Sequence, residues 1–335
     1  VLRLLNVPDE VFPYALLYLR IYLLGVPVIL LYNFEAAIFR SVGDTKVPLR
    51  ALAFSGVLNV ALNLFFVIAL HMTVNGVATA TVLSNAVSSG LLFVRLQRSD
   101  KSIRLDCRDL RIDRSSLKKI LQIGFPAGIQ SAVFSVSNIV IQSAINSLGT
   151  VVMAASSAAF NIEVFAYDVL NSFSQACTTF VGQNYGAGQL GRCKRTLFLC
   201  LMEDLIASAT AIALVLLVGK QLLAVFNNDP QVISIGYTRL LMVFSAYTFS
   251  MLYEVMSGYL RGFGISLVPA ILTTIGVCGV RIGWIHFVFP QSRTFQTILI
   301  AYPVSLSATA LLMLMALLCY RPSHRFAVLQ RSERI

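Results

Sequence analysis

Charge is what this sequence has least of. Asp, Glu, Lys and Arg make up 12% of its 335 residues, where an average soluble domain carries about 25%. Tryptophan occurs once and histidine three times. The six cysteines (Cys107, Cys177, Cys193, Cys200, Cys278 and Cys319) are scattered, mostly in or beside apolar runs, without the spacing of a zinc, haem or disulfide site. There is no Ser/His/Asp set, no zincin motif and no phosphate loop. These absences exclude a water-soluble fold, argue against hydrolytic and metal-centred chemistry, and leave no cofactor to expect.

What fills the chain is apolar. Hydrophobic residues make up 57% of it and the mean hydropathy is +0.78. Nine hydrophobic segments can be counted, roughly 14–38, 49–70, 74–95, 120–147, 151–182, 196–218, 232–260, 266–289 and 295–319. Each is about as long as, or longer than, the ~20 residues that cross a bilayer as a helix. The expected fold is therefore all-α, a polytopic membrane protein with nine transmembrane helices. The connections are short except for the polar joint 96–119, which marks the boundary between two parts. The expected division is 1–95 with three helices, a linker 96–119, 120–320 with six helices, and a tail 321–335. The linker's end, from Ser115 to Leu121, reads as an interfacial amphipathic turn.

The net charge of +11 would suit a nucleic-acid binder, but its placement suits a membrane protein better. Arg40, Lys46 and Arg50, the nine basic residues from Arg95 to Lys119, Arg192, Lys194, Arg195 and Arg261, and the tail residues Arg321, Arg325, Arg331 and Arg334 all fall on alternate connections. Together they are 20 of the 26 basic residues. The opposite loops, around His71-Met72-Thr73 and Ser147-Leu148-Gly149-Thr150, carry no Lys or Arg, and Lys220 and Arg293 are the exceptions. The positive-inside rule makes the basic side cytoplasmic, with the C-terminus inside and residue 1 outside. Membrane lipid is an expected partner and nucleic acid is not.

One stretch occurs twice. Leu31 to Pro48 (LYNFEAAIFRSVGDTKVP) returns as Leu252 to Pro269 (LYEVMSGYLRGFGISLVP) at a constant offset of 221 residues, without a gap. The same register pairs Leu19 with Leu240 and Phe66-Val67 with Phe287-Val288. Gly43 and Gly264 suit a tight turn, and Pro48 and Pro269 suit the first turn of a following helix. Between residues 120 and 218 three spans precede the second copy within its own part, and none precedes the first. Two parallel halves with a substrate path between them are a known transporter architecture. The expectation is thus a chain that lacks the first three of twelve spans, in a whole whose two ends are both cytoplasmic.

Five motifs, in order, resemble the multidrug and toxic compound extrusion (MATE) transporters. Phe39-Arg40-Ser41-Val42-Gly43-Asp44-Thr45-Lys46-Val47-Pro48 is similar to their fourth-helix motif, Asn59-Val60-Ala61-Leu62-Asn63 to their fifth helix, and Asn75 to Thr81 to the start of their sixth. Phe180-Val181-Gly182-Gln183-Asn184-Tyr185-Gly186-Ala187-Gly188 is similar to the end of the eighth, and Gly258 to Gly264 to the tenth. The resemblance implies that the nine helices correspond to helices 4–12 of a two-lobe, twelve-helix transporter in the cytoplasmic membrane. It also implies export of small cationic or amphipathic drugs driven by inward Na⁺ or H⁺, by a monomer. The alternatives are a lipid-linked-precursor or polysaccharide flippase, whose central cavity would be more cationic than this membrane interior is expected to be, and an intramembrane enzyme or receptor.

Coupling needs ionisable or oxygen-bearing groups inside the bilayer. Glu35, Asn59, Asn63, Thr81 and Glu254 are the candidates. Asn59 and Asn63, four apart, share a helix face. The resemblance makes them, with Thr81, a possible Na⁺ site, although family members often have an acid where Asn63 stands and their first-helix aspartate falls outside this chain. The other reading is that the two asparagines hydrogen-bond across helices. Glu35 and Glu254 serve either as proton or cation sites or as partners of a buried arginine, with Arg281 the candidate for Glu254. Asn33, Gln130, Asn138, Gln142, Asn161 and Glu163 are the substrate-binding candidates. Asn138, Gln142 and Asn146 make one polar stripe that should line a cavity or a neighbouring helix. Glu203 and Asp204 are cavity candidates too, although adjacent residues cannot share one face.

Overall fold

The chain is described here as a computed structural model, which defines residues 12–99, 103–106, 108 and 111–322. Lys101, Cys107, the tail arginines Arg325, Arg331 and Arg334, and most of the expected tail 321–335 lie outside the described residues. All regular structure among the described residues is helical. Eight helical stretches are long and apolar enough to cross a membrane, and a bent pair makes a ninth when counted as one broken span. The nine expected segments are therefore present.

The described residues fall into two compact units, Val1–Ile112 and Asp113–Ile335. The first contains α1 (Phe12–Ser41), α2 (Lys46–Leu64, continued by a π turn over Phe65–Ala69) and α3 (Val74–Gln97). Helix α3 packs against both of the others. It does so through small residues: Ala78, Ala80, Ser84, Ser88 and Ser89 are buried. In hydrocarbon, packing of small residues replaces the hydrophobic drive between helices. The outer faces stay apolar and open, as at Leu24 (83% exposed) and Val57 (74%).

The second unit contains α4 (Arg114–Asn146), α5 (Thr150–Gly186), α6 (Leu190–Leu217), α7 (Gly219–Phe226), α8 (Pro230–Ser245), α9 (Tyr247–Gly262), α10 (Leu267–Thr273), α11 (Val280–Phe287) and α12 (Phe295–Tyr320). Helix α4 starts at Arg114 because Asp113 caps it, accepting from the Ser116 backbone N–H at 2.7 Å. The Ser116 hydroxyl and, after it, that backbone bond hold the Asp113 carboxyl below its ordinary value. The expected interfacial turn over Ser115 to Leu121 is thus the opening of α4 itself. Asp229 caps α8 in the same way, with Pro230 in the first turn. Helix α5 is central: Ala155, Ala159, Ile162, Ala166, Leu170, Ser174, Cys177 and Val181 form one buried stripe at helical spacing. It packs against α6, α8 and α9.

The repeated stretch has repeated geometry. After α1, the N–H groups of Val42, Gly43 and Asp44 bond to the carbonyls of Phe39, Arg40 and Phe39. After α9, Phe263, Gly264 and Ile265 bond to Leu260, Arg261 and Leu260 in the same pattern, 221 residues on. Gly43 and Gly264 close both turns at φ 87° and 79°, where a side chain would be strained. Leu190, Phe263 and Leu317 share one cluster, and the Ser266 hydroxyl donates to the Gln122 carbonyl. The ends of α9 and α12 and the starts of α4 and α6, with their basic residues, therefore gather at one end of this unit.

Two expected straight spans are broken. The 232–260 segment bends by 46° between α8 and α9. There the Ser245 hydroxyl donates to the Met242 carbonyl at 2.7 Å, competing with the helical ladder. The 266–289 segment contains a π turn, Thr274–Gly279, between α10 and α11. Gly276 faces Thr309 of α12 so closely there that an added Cβ would collide with the threonine.

Gly258 gives a stability test. A Cβ there would strike the Ser174 carbonyl oxygen across the α5–α9 contact, whereas Gly128 of α4 has nothing within 4 Å. In an open helix position Gly→Ala stabilises by up to about 1 kcal/mol. Gly128→Ala is expected to raise the Tm of the purified protein, and Gly258→Ala to lower it at a cost of about 1–3 kcal/mol. Equal Tm changes in the two variants would refute the close approach.

Candidate functional site

A cavity of about 500 Å³ opens inside the second unit, within the size range of sites for drug-sized ligands. Six elements build it, with Val243 the contribution of α8. Gln130, Phe134 and Asn138 come from α4, and Phe160, Glu163, Tyr167 and Asn171 from α5. Tyr247, Ser250, Tyr253 and Glu254 come from α9, Arg281 from α11, and Tyr302 and Leu306 from α12. Both helix breaks lie beside it: Val243, Tyr247 and Ser250 flank the α8–α9 bend, and Arg281 follows the π turn directly. Bulges of this kind often mark functional positions.

One wall is an ion pair. Arg239 of α8 donates from Nε to Glu163 Oε1 at 2.7 Å and from Nη2 to Oε2 at 2.9 Å. Its Nη1 donates to the Ser156 hydroxyl at 2.6 Å, and Nη2 reaches the Tyr302 hydroxyl at 3.4 Å. Both charges are buried, at 2% and 4% exposure. A fork-to-fork pair with satisfied outer hydrogens is the arrangement in which opposite charges tolerate a low-dielectric interior. Arg239 did not figure among the sequence candidates. Its signal was present: a lone arginine inside an apolar span needs a partner, and Glu163 inside another span is one.

Glu254 is placed differently. Its Oε1 accepts from the Tyr167 hydroxyl at 3.1 Å. The Ser174 hydroxyl donates at 2.7 Å to the Glu254 backbone carbonyl. Among the described residues the only ion pair within 4.0 Å is Arg239–Glu163. The candidate pairing of Glu254 with Arg281, one of the two readings left open, is therefore not formed. Arg281 instead donates from Nε to the Ser305 hydroxyl at 3.1 Å and lies over the Tyr302 ring, 4.4 Å from its centroid. The expectation that the interior would lack cations is corrected too: Arg239 and Arg281 are both buried in spans of this unit.

The other candidates separate. Gln130, Asn138 and Glu163 line the cavity, but Gln142 and Asn161 are not among the lining residues. Gln142 bonds to Asn146 at 2.8 Å, closing the polar stripe on itself, and Asn161 bonds to the Ser157 carbonyl of its own helix. Glu203 is exposed. Asp204 is fully buried, accepting from the Ser208 hydroxyl at 2.6 Å with its second oxygen unpartnered. Neither acid lines the cavity.

In the first unit, Glu35 is buried between α1 and α3, where Oε2 accepts from the Ser89 hydroxyl at 2.9 Å and Oε1 has no partner. Asn63 donates to Asn59 Oδ1 at 3.0 Å, and Asn59 donates to the Ser84 hydroxyl at 3.2 Å, so the pair does hydrogen-bond across to α3. Asn63 Oδ1 is buried without a partner. The Thr81 hydroxyl donates to the Val77 carbonyl. Among the described residues no hydrogen bond joins Glu35 to the asparagines. Their anchors Ser89 and Ser84 are about 7–8 Å apart along α3. Asn33 is exposed and bonds to the Ile29 carbonyl of its own helix.

A polytopic helical bundle, a repeated helix–turn–helix and a polar cavity beside broken spans define a membrane transporter architecture. The MatE family model matches residues 1–65 and 126–285. The chain belongs to the MatE family, a family of transporters rather than enzymes. It is similar to "Probable multidrug resistance protein YoeA" of Bacillus subtilis, 25% identical over 324 residues that cover 93% of this chain and 69% of that protein. It is also similar to "Multidrug resistance protein PmpM" of Pseudomonas aeruginosa, 30% identical over 292 residues, 84% of this chain and 60% of that one. The fold matches a solved outward-facing MATE transporter with a TM-score of 0.87 at 21% identity, over 96% of this chain and 73% of that one. The chain spans 60% to 69% of the length of three such curated relatives.

The buried pair predicts a stability pattern. Arg239→Met leaves Glu163 charged and alone and should cost about 3–5 kcal/mol, whereas Glu163→Leu combined with Arg239→Met should recover most of that. Thermal unfolding of the purified variants measures both. A single variant as stable as the double one would show that the pair does not hold α5 to α8.

Proposed function

We propose that the protein is a secondary active exporter of amphipathic drug-like compounds, driven by inward flow of H⁺ or Na⁺. It acts as a monomer in the lipid of the cytoplasmic membrane, with its basic end and C-terminus inside. The observation that carries this reading is Glu254: of the two carboxylates lining the cavity, it alone has no cation partner within 4.0 Å. A carboxyl in that position can hold either a proton or a cation, and the two compete. Protonation from the outside would release a bound compound, and loss of that proton to the inside would restore attraction. Tyr167 holds the carboxylate's orientation through its hydroxyl, and the aromatic rings of Phe134, Phe160 and Tyr247 offer flat apolar surface. The names of the relatives, multidrug resistance proteins, support the direction and the cargo class.

H⁺ is favoured over Na⁺ as the coupling ion. Na⁺, as a hard cation, needs several oxygen ligands by analogy with its neighbours among hard cations. None of the three side chains expected for such a site carries a charge: Asn59 Oδ1 accepts from Asn63, the Thr81 hydroxyl donates to the Val77 carbonyl, and Asn63 Oδ1 is buried without a partner. Glu35, with one unpartnered oxygen, is the second proton-site candidate.

Inverted membrane vesicles bearing the protein test this with ethidium as cargo. Efflux should collapse when the pH gradient is dissipated and persist when only the Na⁺ gradient is. Glu254→Gln should lower gradient-driven efflux by about tenfold or more, in the range expected for removing an essential proton-transfer group, while leaving the amount of folded protein unchanged. Asn63→Asp should add Na⁺ stimulation. Full efflux in Glu254→Gln with loss in Glu35→Gln would move the coupling site to the first unit.

A further inference from the structure

The cavity offers more charges than a simple cation can use. Glu163 is neutralised by Arg239, so it offers little to a ligand. What remains on the walls is Glu254 with one negative charge, and Arg281 and Arg261 with one positive charge each. Arg261 stands in the last turn of α9, at the basic end of the unit. Arg281 is different: it is 7% exposed and inside a span, in the first turn of the helix that follows the π turn. An intramembrane guanidinium normally has a counter-ion. Arg239, one helix away, has one, and Arg281 has none within 4.0 Å.

Its fixation resembles that of a recognition group. Nε is held by the Ser305 hydroxyl at 3.1 Å, and the guanidinium is over the Tyr302 ring at 4.4 Å. Ser305 is itself oriented by donating to the Tyr302 carbonyl at 3.0 Å. The plane is thus set from one edge and one face. The two Nη groups on the free edge have no protein acceptor among the described residues. A planar fork fixed at its base with its tips open into a cavity is suited to a carboxylate, which it can bind through two parallel N–H···O bonds.

We propose that Arg281 is an anion-recognition residue and that this cavity selects zwitterionic amphiphiles: compounds whose carboxylate seats on Arg281 while a basic group seats on Glu254. This rests on reading the cavity as the substrate site. A monocation would gain Glu254 but leave Arg281 uncompensated. A zwitterion places an opposite charge against each of these two buried groups, the arrangement in which charges are cheapest to hold inside the bilayer.

Two matched fluorescent probes separate the possibilities: rhodamine 110, which carries a free carboxylate beside its cationic ring system, and its methyl ester rhodamine 123, which keeps the cation alone. Binding to the purified protein is read by fluorescence anisotropy. The wild type should bind the carboxylate probe more tightly than the ester. Arg281→Gln should weaken the carboxylate probe by about tenfold or more and leave the ester within about twofold, the loss expected for a charge-assisted bidentate contact. Arg281→Lys, which keeps the charge without the fork, should fall between. The ester serves as the folding control for the two Arg281 variants. If Arg281→Gln weakens both probes alike, or if the wild type prefers the ester, the anion site is refuted. Loss of ester binding in Glu254→Gln with no effect of Arg281→Gln on either probe would keep the export reading and remove this one. A wild type that binds neither probe would overturn both.

Discussion

A polar group inside a bilayer must be satisfied by the protein, because water is not there to do it. Most of this structure follows from how its few buried charges meet that demand. The pair between Arg239 and Glu163 is the central case. It joins α8 to α5 through two short hydrogen bonds and recruits Ser156 of α5 and Tyr302 of α12. Desolvation makes such a pair expensive to bury, and its geometry offsets that cost only while every partner is in place. The α5–α8–α12 arrangement is therefore specified by hydrogen bonding as well as by the apolar cluster around Leu170, Leu240 and Leu299.

The same pair decides what the cavity offers. With Glu163 and Arg239 joined, the buried charges left for a ligand are those of Glu254 and Arg281. Both sit next to irregular backbone, Glu254 on the helix that follows the α8–α9 bend and Arg281 after the π turn. Breaks of this kind are tolerated at membrane depth where they line a cavity. They also let side chains point where a straight helix could not send them. The first unit follows a related logic on a smaller scale, with Glu35 and the Asn59–Asn63 pair each held by a serine of α3.

Much of the fold was legible in the sequence, because hydropathy reports the environment of each segment directly. Nine apolar segments gave nine spans, and the 221-residue repeat gave two turns with the same hydrogen bonds. The site was legible in part. Gln130, Asn138, Glu163 and Glu254 do line one cavity. Gln142 and Asn161 carry the same chemistry in the same helices, yet bond to their own helices instead. Period alone cannot separate these cases, since a cavity-facing and a self-bonded amide look alike in a string of residues.

Composition and pattern by themselves determined that this protein is a helical membrane protein with a duplicated helix–turn–helix. The physical reason is that burial in lipid and tight-turn geometry constrain residue type locally. Partner choice is not local. Arg239 and Arg281 are both single arginines in apolar spans, and the sequence offered Arg281 as one candidate partner for Glu254. Only the packing of α5 against α8, and the π turn before α11, decided that Arg239 takes Glu163 while Arg281 and Glu254 are left unpaired. Which charges meet depends on the relative rotation and depth of separate helices, set by contacts spread across the whole unit.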